Sequence, residues 1–182
     1  MAKIFILGTI FFSACYLRPV QTAQTSEVVG VSDGDTITVL DRATQKRQKV
    51  RLATIDAPEF NQPFGARSKQ SLSDLVYKKN VTLRSFGSDK YGRTIAEVFV
   101  DGKNINVEQI RRGFAWHYKF HEKQQTPAER LIYSKAQEFA KQNRLGLWAD
   151  SDPVPPWDFR KEKPERTPRA TRYLFIRKFN YE

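Results

Sequence analysis

Cysteine is almost missing: Cys15 is the only one in the chain. No disulfide can close within it, and stability has to come from packing. Because Cys15 falls inside a leader-like stretch, redox and cysteine-nucleophile chemistry are excluded for the domain that follows. Histidine is nearly as scarce. His117 and His121 are the two present; they lack the spacing and context of a zinc pair and read as surface or packing residues. No internal repeat is visible. The apolar run Ile4 to Phe12, preceded by Lys3, is too short to cross a bilayer and has the length of a signal-peptide core. Residues 1–23 are therefore expected to be a signal peptide and the protein to be exported. Ser13-Ala14-Cys15 stands where a lipoprotein signal places its cysteine, although Phe12 occupies the position such signals usually give to leucine. Secreted, periplasmic and lipid-anchored forms stay open, as does a buried N-terminal strand or helix.

What the chain has in excess is positive charge, a net +11 with a pI near 9.8. Only Lys3 and Arg18 of its cations lie in the first 23 residues. A polyanion is the first partner to consider, and charge alone leaves simple solubility or an anionic membrane surface as alternatives. With 182 residues, 40% of them hydrophobic, the chain can bury one core and carry short extensions, so a single site is expected.

Period-two alternation marks strands at Val28 to Val31, at Ile37 to Leu40, and through Val50, Leu52 and Ile55. Ser32-Asp33-Gly34-Asp35 and the polar stretch Asp41 to Gln48 break them into a meander of hairpins. Over 65–79 the period becomes helical, with Ser68, Leu72, Leu75, Val76 and Lys79 on one face. Val81 to Phe86 and Thr94 to Val100 predict two more strands. Asn106 to Arg112 predicts a short helix closed by Gly113 and burying Val107 and Ile110. Thr126-Pro127-Ala128-Glu129 is a capping box that starts another helix, with Leu131, Ile132, Lys135 and Phe139 as its mostly apolar stripe. From Asp150 onward prolines and charges predict an extended arm with little fold; the competing reading docks Trp157 and Phe159 on the barrel and adds Tyr173 to Phe179 to a sheet edge. Five strands with interleaved helices suggest a small barrel of OB type, α+β and mostly β.

Two acidic clusters stand out. Asp33-Gly34-Asp35 alone reads as a hairpin turn, and Asp56-Ala57-Pro58-Glu59 alone as a solvated loop. Together they offer oxygen ligands to a hard cation such as calcium, with Asp35 and Asp56 as the natural pair. A phosphodiester held by such a cation also needs forked positive donors, which arginine supplies better than lysine. Arg51, inside an apolar strand, and Arg93, in Asp89-Lys90-Tyr91-Gly92-Arg93, are the candidates, with ordinary surface arginines as the alternative reading.

The order DGDT, VRLATIDAPE, DKYGR, RRGFAW, GLW resembles the staphylococcal nuclease (thermonuclease) family over about residues 27–149. The resemblance implies a five-stranded OB-fold barrel with three helices over that span and leaves 150–182 as a basic extension. It also implies a calcium ion and hydrolysis of DNA and RNA to 3′-phosphate ends. A monomer acting on single-stranded or locally melted nucleic acid is expected, with no obligate protein partner evident in the sequence. By the same resemblance Asp35 and Asp56 are calcium ligands and Ala57 adds its main-chain carbonyl where the family often has threonine. Asp33 acts on the metal through water, Glu59 is the general base, Arg51 and Arg93 clamp the scissile phosphate, and Lys90 and Tyr91 contact a neighbouring one. Two departures are visible. The stretch Phe60 to Ala66 is shorter than in the best-known member, and the aromatics expected to stack on a base are out of register in Trp116-His117-Tyr118-Lys119-Phe120, where Tyr118 is the candidate. Two rivals remain: a non-catalytic OB-fold module that binds nucleic acid, and a basic adhesion or scaffold protein using the C-terminal arm. The first is separated by whether Asp35, Arg51, Asp56, Glu59 and Arg93 are all present, as they are; the second leaves that set unexplained.

Overall fold

The computed structural model of the chain describes residues 25–162. The expected signal peptide over 1–23, and the extension from 163 on with its Tyr173 to Phe179 segment, lie outside the described residues. In chain order the elements are β1 (Thr25–Val31), β2 (Thr36–Asp41), β3 (Arg47–Leu52), β4 (Ile55–Asp56), α1 (Gly65–Val76), β5 (Asn80–Ser88) and β6 (Thr94–Val100). They continue with β7 (Lys103–Asn104), α2 (Ile105–Arg111), β8 (Trp116–His117), α3 (Pro127–Gln142) and α4 (Pro156–Glu162), and two 3-10 turns, Lys119–Gln124 and Gly146–Ala149, flank α3.

The alternating strands pair as an antiparallel meander, β3 to β2 to β1, extended by β5 and β6. The sheet closes because β6 also runs parallel to β3, setting Val50 opposite Thr94 and Leu52 opposite Ala96. Closure leaves the five long strands as a barrel without free edges, the OB-type architecture expected from the pattern. Inward-facing Val28, Ile37, Val39, Val50, Leu52, Ala96 and Val98 fill it, and Leu72 and Val76 of α1 with Ile105 and Ile110 of α2 cap it. Each fully buried aliphatic side chain of this kind contributes about 1.5–3 kcal/mol, which is how the domain does without a disulfide.

Three sequence expectations need correction. The first helix stops at Val76, not near 79: Lys78 takes a positive φ of 59° and the Lys79 ammonium donates to the Leu75 carbonyl at 2.8 Å, closing the turn. In α3 the capping box forms as read, Thr126 and Glu129 exchanging hydrogen bonds, but the stripe does not. Leu131 and Ile132 are 55% and 53% exposed, and the buried face is Tyr133, Ala136 and Ala140. Alanines let α3 lie close to α2, and the Tyr133 hydroxyl is drawn inward because it donates to the buried Glu97 carboxylate at 2.7 Å. Finally, the arm is not extended over 156–162. Pro156 occupies the first position of α4, where its missing N–H costs nothing, while Asp158 in the first turn and Arg160 and Lys161 in the last match the helix dipole.

Candidate active site

The site is assembled at one end of the barrel from three tight connections. The first is the loop before β2. The Asp35 N–H donates to Asp33 Oδ1 at 3.0 Å, and Gln109 of α2 donates to the Gly34 carbonyl at 3.1 Å and to the Ser68 carbonyl at 2.8 Å. Gly34 is obligatory here: a Cβ would lie 1.8 Å from Ser68 Oγ and 2.7 Å from the Ala57 Cβ. This packing turns the Asp35 carboxylate onto the next connection. Its Oδ2 accepts from the Ala57 N–H at 2.8 Å and its Oδ1 from the Thr36 hydroxyl at 3.0 Å.

The second connection is the reversal between β3 and β4. Thr54 sits at φ 59°, a strained conformation for a β-branched residue that costs about 1–3 kcal/mol and needs a locked surrounding. Asn106 donates to the Ala53 carbonyl at 2.9 Å, the Tyr118 N–H to the Thr54 carbonyl at 2.8 Å, and the Gln125 amide to Thr54 Oγ1 at 3.2 Å. The result swings Asp56 back over the barrel end beside Asp35. Arg51 bridges the two carboxylates, Nη1 at 3.1 Å from Asp35 Oδ2 and Nη2 at 3.0 Å from Asp56 Oδ1, while Nη1 also donates to the Leu52 and Ile55 carbonyls at 2.9 Å each. The anionic partner that an arginine inside an apolar strand calls for is thus a carboxylate pair. Burial pushes the Asp35 carboxyl up to about 6 against the opposing pull of Arg51, with nearby Asp33 adding to the rise. Burial also raises Asp56, against the hydrogen bond from Arg160 and the charge of Arg51. Burial thus makes negative charge costly on both carboxylates, a cost that a cation bound between them would offset.

Pro58 ends pairing, and the third connection, the short turn after Glu59, is closed by the Glu59 N–H to Gln62 Oε1 at 3.1 Å and the Gln62 N–H to the Glu59 carbonyl at 2.9 Å. Gly65 touches the same carbonyl, where a Cβ would come within 1.9 Å. Glu59 is thereby fixed at the rim with its carboxylate partly exposed. Across the opening, Asp89 organises the β5–β6 loop: its Oδ1 accepts the Tyr91 and Arg93 N–H groups and its Oδ2 accepts Arg93 Nε at 2.7 Å. Arg93 and Lys90 both lie over the Tyr91 ring, at 5.6 and 5.1 Å from its centroid. Tyr118 lies nearly parallel to Phe120, 6.1 Å away, and tilts against Trp157 at 5.3 Å.

All the residues singled out from the sequence, Asp33, Asp35, Arg51, Asp56, Ala57, Glu59, Lys90, Tyr91, Arg93 and Tyr118, line one cleft of about 580 Å³. Among the described residues no three His, Cys, Asp or Glu side chains converge as a ready cage for a metal. A cation held by Asp35 and Asp56 would complete its shell with main-chain carbonyl and water oxygens, a set that suits calcium and offers nothing to a soft metal. Sequence reasoning missed Arg160, which also lines the cleft, and the amides of Asn106, Gln109 and Gln62 that hold its walls. The signal for the first two was present: polar Asn106 and Gln109 share the buried side of a short amphipathic helix with Ile110, and buried amides are seldom without a bonding task.

Comparison with known proteins gives the same direction. Residues 49–150 match the family described as staphylococcal nuclease homologue. The chain is 48% identical over 163 residues to an uncharacterised endonuclease of Haemophilus influenzae, covering 90% of this chain and 85% of that protein. It is 42% identical over 137 residues to an uncharacterised endonuclease of Escherichia coli O157:H7, covering 75% and 84%. It is also similar to the micrococcal nuclease of Shigella flexneri, 37% identical over 150 residues and covering 78% and 83%.

Proposed function

We propose that this chain, which belongs to the staphylococcal nuclease family, is a calcium-dependent nuclease that hydrolyses phosphodiester bonds in DNA and RNA and leaves 3′-phosphate ends. The observation that carries the reading is the single cleft that gathers a buried carboxylate pair, a rim glutamate and arginines on a strongly basic protein. Asp35, Asp56 and the Ala57 carbonyl would hold the calcium ion, with Asp33 reaching it through water. When bound, calcium supplies positive charge to a phosphate oxygen. Glu59 orients the attacking water and takes its proton. Attack at phosphorus breaks the bond to the 5′ oxygen, which takes a proton from solvent and leaves as the 5′ hydroxyl, so the phosphate stays on the 3′ side. Arg51 and Arg93 hold the equatorial oxygens, whose negative charge grows in the transition state; a preorganised donor of this kind is typically worth about 10²–10³ in rate. Lys90 and Tyr91 sit where a neighbouring phosphate would pass, and Tyr118 offers a face to a base.

Digestion of plasmid and of RNA by the purified protein, in calcium and then in excess chelator, tests the reading. Cleavage that stops in chelator, with 3′-phosphate ends, supports it. Retention of single-stranded DNA without cleavage in calcium would leave the binding-module alternative. Export, proposed from the leader-like residues 1–23, is tested by fractionating cells that express the full chain.

A further inference from the structure

Arg160 lies beyond residues 49–150, which match the family model, yet its guanidinium is inside the cleft. Nη2 donates to Asp56 Oδ2 at 2.7 Å, and Nη1 to Asp56 Oδ1 at 3.3 Å and to Glu59 Oε1 at 2.9 Å. The residue is delivered by a docked segment. Trp157 packs against Trp116 and Tyr118 at 5.6 and 5.3 Å, and Gln62, from the turn that fixes Glu59, donates to the Val154 carbonyl at 2.6 Å. Together Arg51 and Arg160 cover both oxygens of Asp56.

A divalent cation ligated by Asp35 and Asp56 competes with these two arginines for the charge of Asp56. Arg51 is the poorer candidate to yield: its side chain is 18% exposed and two main-chain carbonyls pin it. Arg160 is 42% exposed and sits at the end of a long side chain on the solvent side. Once off Asp56 it has no need to travel far. A phosphodiester attacked by a water on Glu59 must lie within about one water diameter of that carboxylate, hence within hydrogen-bond reach of a guanidinium already 2.9 Å from it.

We propose that Arg160 is a third arginine of the active site, one that competes with calcium for Asp56 and binds the substrate phosphate. This rests on the calcium-nuclease reading above. It makes α4 a working part of the enzyme, and it gives removal of Arg160 two effects of opposite sign. Without the competitor, calcium binds more tightly. Without the third phosphate donor, turnover falls.

The test uses the full chain and its Arg160→Ala and Arg160→Lys variants, with folding verified by circular dichroism. Calcium affinity is measured by calorimetry without substrate, and kcat and KM on single-stranded DNA at saturating calcium. For Arg160→Ala the expected results are calcium binding tighter by about threefold to tenfold and kcat lower by about tenfold to a hundredfold, at or below the low limit of what losing a phosphate donor costs because this arginine is partly exposed. Arg160→Lys keeps the charge without the fork and should fall between. Unchanged or weaker calcium binding in a folded Arg160→Ala protein would overturn the inference, as would an unchanged kcat. No calcium binding by the parent protein would instead overturn the calcium reading itself, and this inference with it.

Discussion

Replacing Arg51 by alanine should expose how much of the barrel end is held together by one guanidinium. Arg51 lies 3.1 Å from Asp35 and 3.0 Å from Asp56, whose side chains are 9% and 2% exposed. Its removal leaves two buried carboxylates side by side, with Arg160 on only one of them. Breaking a buried ion pair from one side costs about 3–5 kcal/mol, and the low end applies for two reasons. Arg51 has some access to water, and Asp35, already at about 6, can take up a proton and relieve part of the repulsion. About 3 kcal/mol in a domain of this size corresponds to a Tm lower by about 10 °C. Calcium bound between the same carboxylates replaces the missing charge and stabilises the folded state by mass action, about 2.7 kcal/mol at a hundredfold excess over Kd. Scanning calorimetry should therefore put the variant about 10 °C below the parent in chelator, and saturating calcium should raise the variant's own Tm by more than half of that loss, with turnover still down by about a hundredfold or more because a phosphate donor is gone. A Tm within a degree of the parent in chelator would refute the electrostatic account. A variant Tm that saturating calcium does not raise would show that the cation is not held between these carboxylates.

Glu59→Gln and Arg93→Gly should each lower turnover by about 10²–10⁴-fold while circular dichroism stays that of the parent, since both side chains are at the rim; a near-normal rate in either removes its assigned role. Because the folded Asp35 titrates at about 6 against 3.8 unfolded, its protonated form favours the fold fully below about pH 4, and that contribution disappears as pH rises through about 6. Calcium must expel the same proton, so calorimetric calcium affinity should fall by about tenfold per pH unit below 6, and a flat profile from pH 7.5 to 5 would sink the assignment of Asp35 as a ligand. Gly34→Ala should cost about 1–3 kcal/mol by forcing the loop off Ser68 and should weaken calcium binding in the same calorimeter; an unaltered affinity would show that the loop does not position Asp35. Affinity for single-stranded DNA should fall with salt by about 0.7 in the log–log slope for each phosphate neutralised, and a salt-independent affinity would remove charge as the driving force.

The barrel was legible because its physics is local. Alternation places Val28, Ile37, Val50 and Val98 inward whatever else happens, and Asp33-Gly34-Asp35 and Pro58 punctuate the strands at the positions where the structure turns. The carboxylates and arginines were legible for a related reason: charged groups next to apolar strands need partners, and Asp35, Arg51 and Asp56 found one another. Long-range packing was less readable. The α3 stripe failed because counting large apolar residues favours Leu131 and Ile132, whereas close approach of two helices selects Ala136 and Ala140, and the buried Glu97 carboxylate selects Tyr133. Nothing within α3 announces a carboxylate on β6.

The segment after Asp150 is hard to read from sequence for a deeper reason, which bears on where the active site ends. Prolines count as breakers in a sequence pattern, yet proline is compatible with the first turn of a helix, and Pro156 sits at that position in α4. Trp157 then had a visible reason to be buried, being a large apolar surface in a charged stretch, and it docks on Trp116 and Tyr118. Arg160 had no such signal: one cation among many in a basic tail has no local feature distinguishing it from Lys161, which pairs with Asp158 on its own helix. Only the docking of Trp157 decides which cation faces Asp56, three residues and nearly one helical turn further on. The chemistry of the tail is thus encoded by its aromatic residue, and the charge follows from helical geometry.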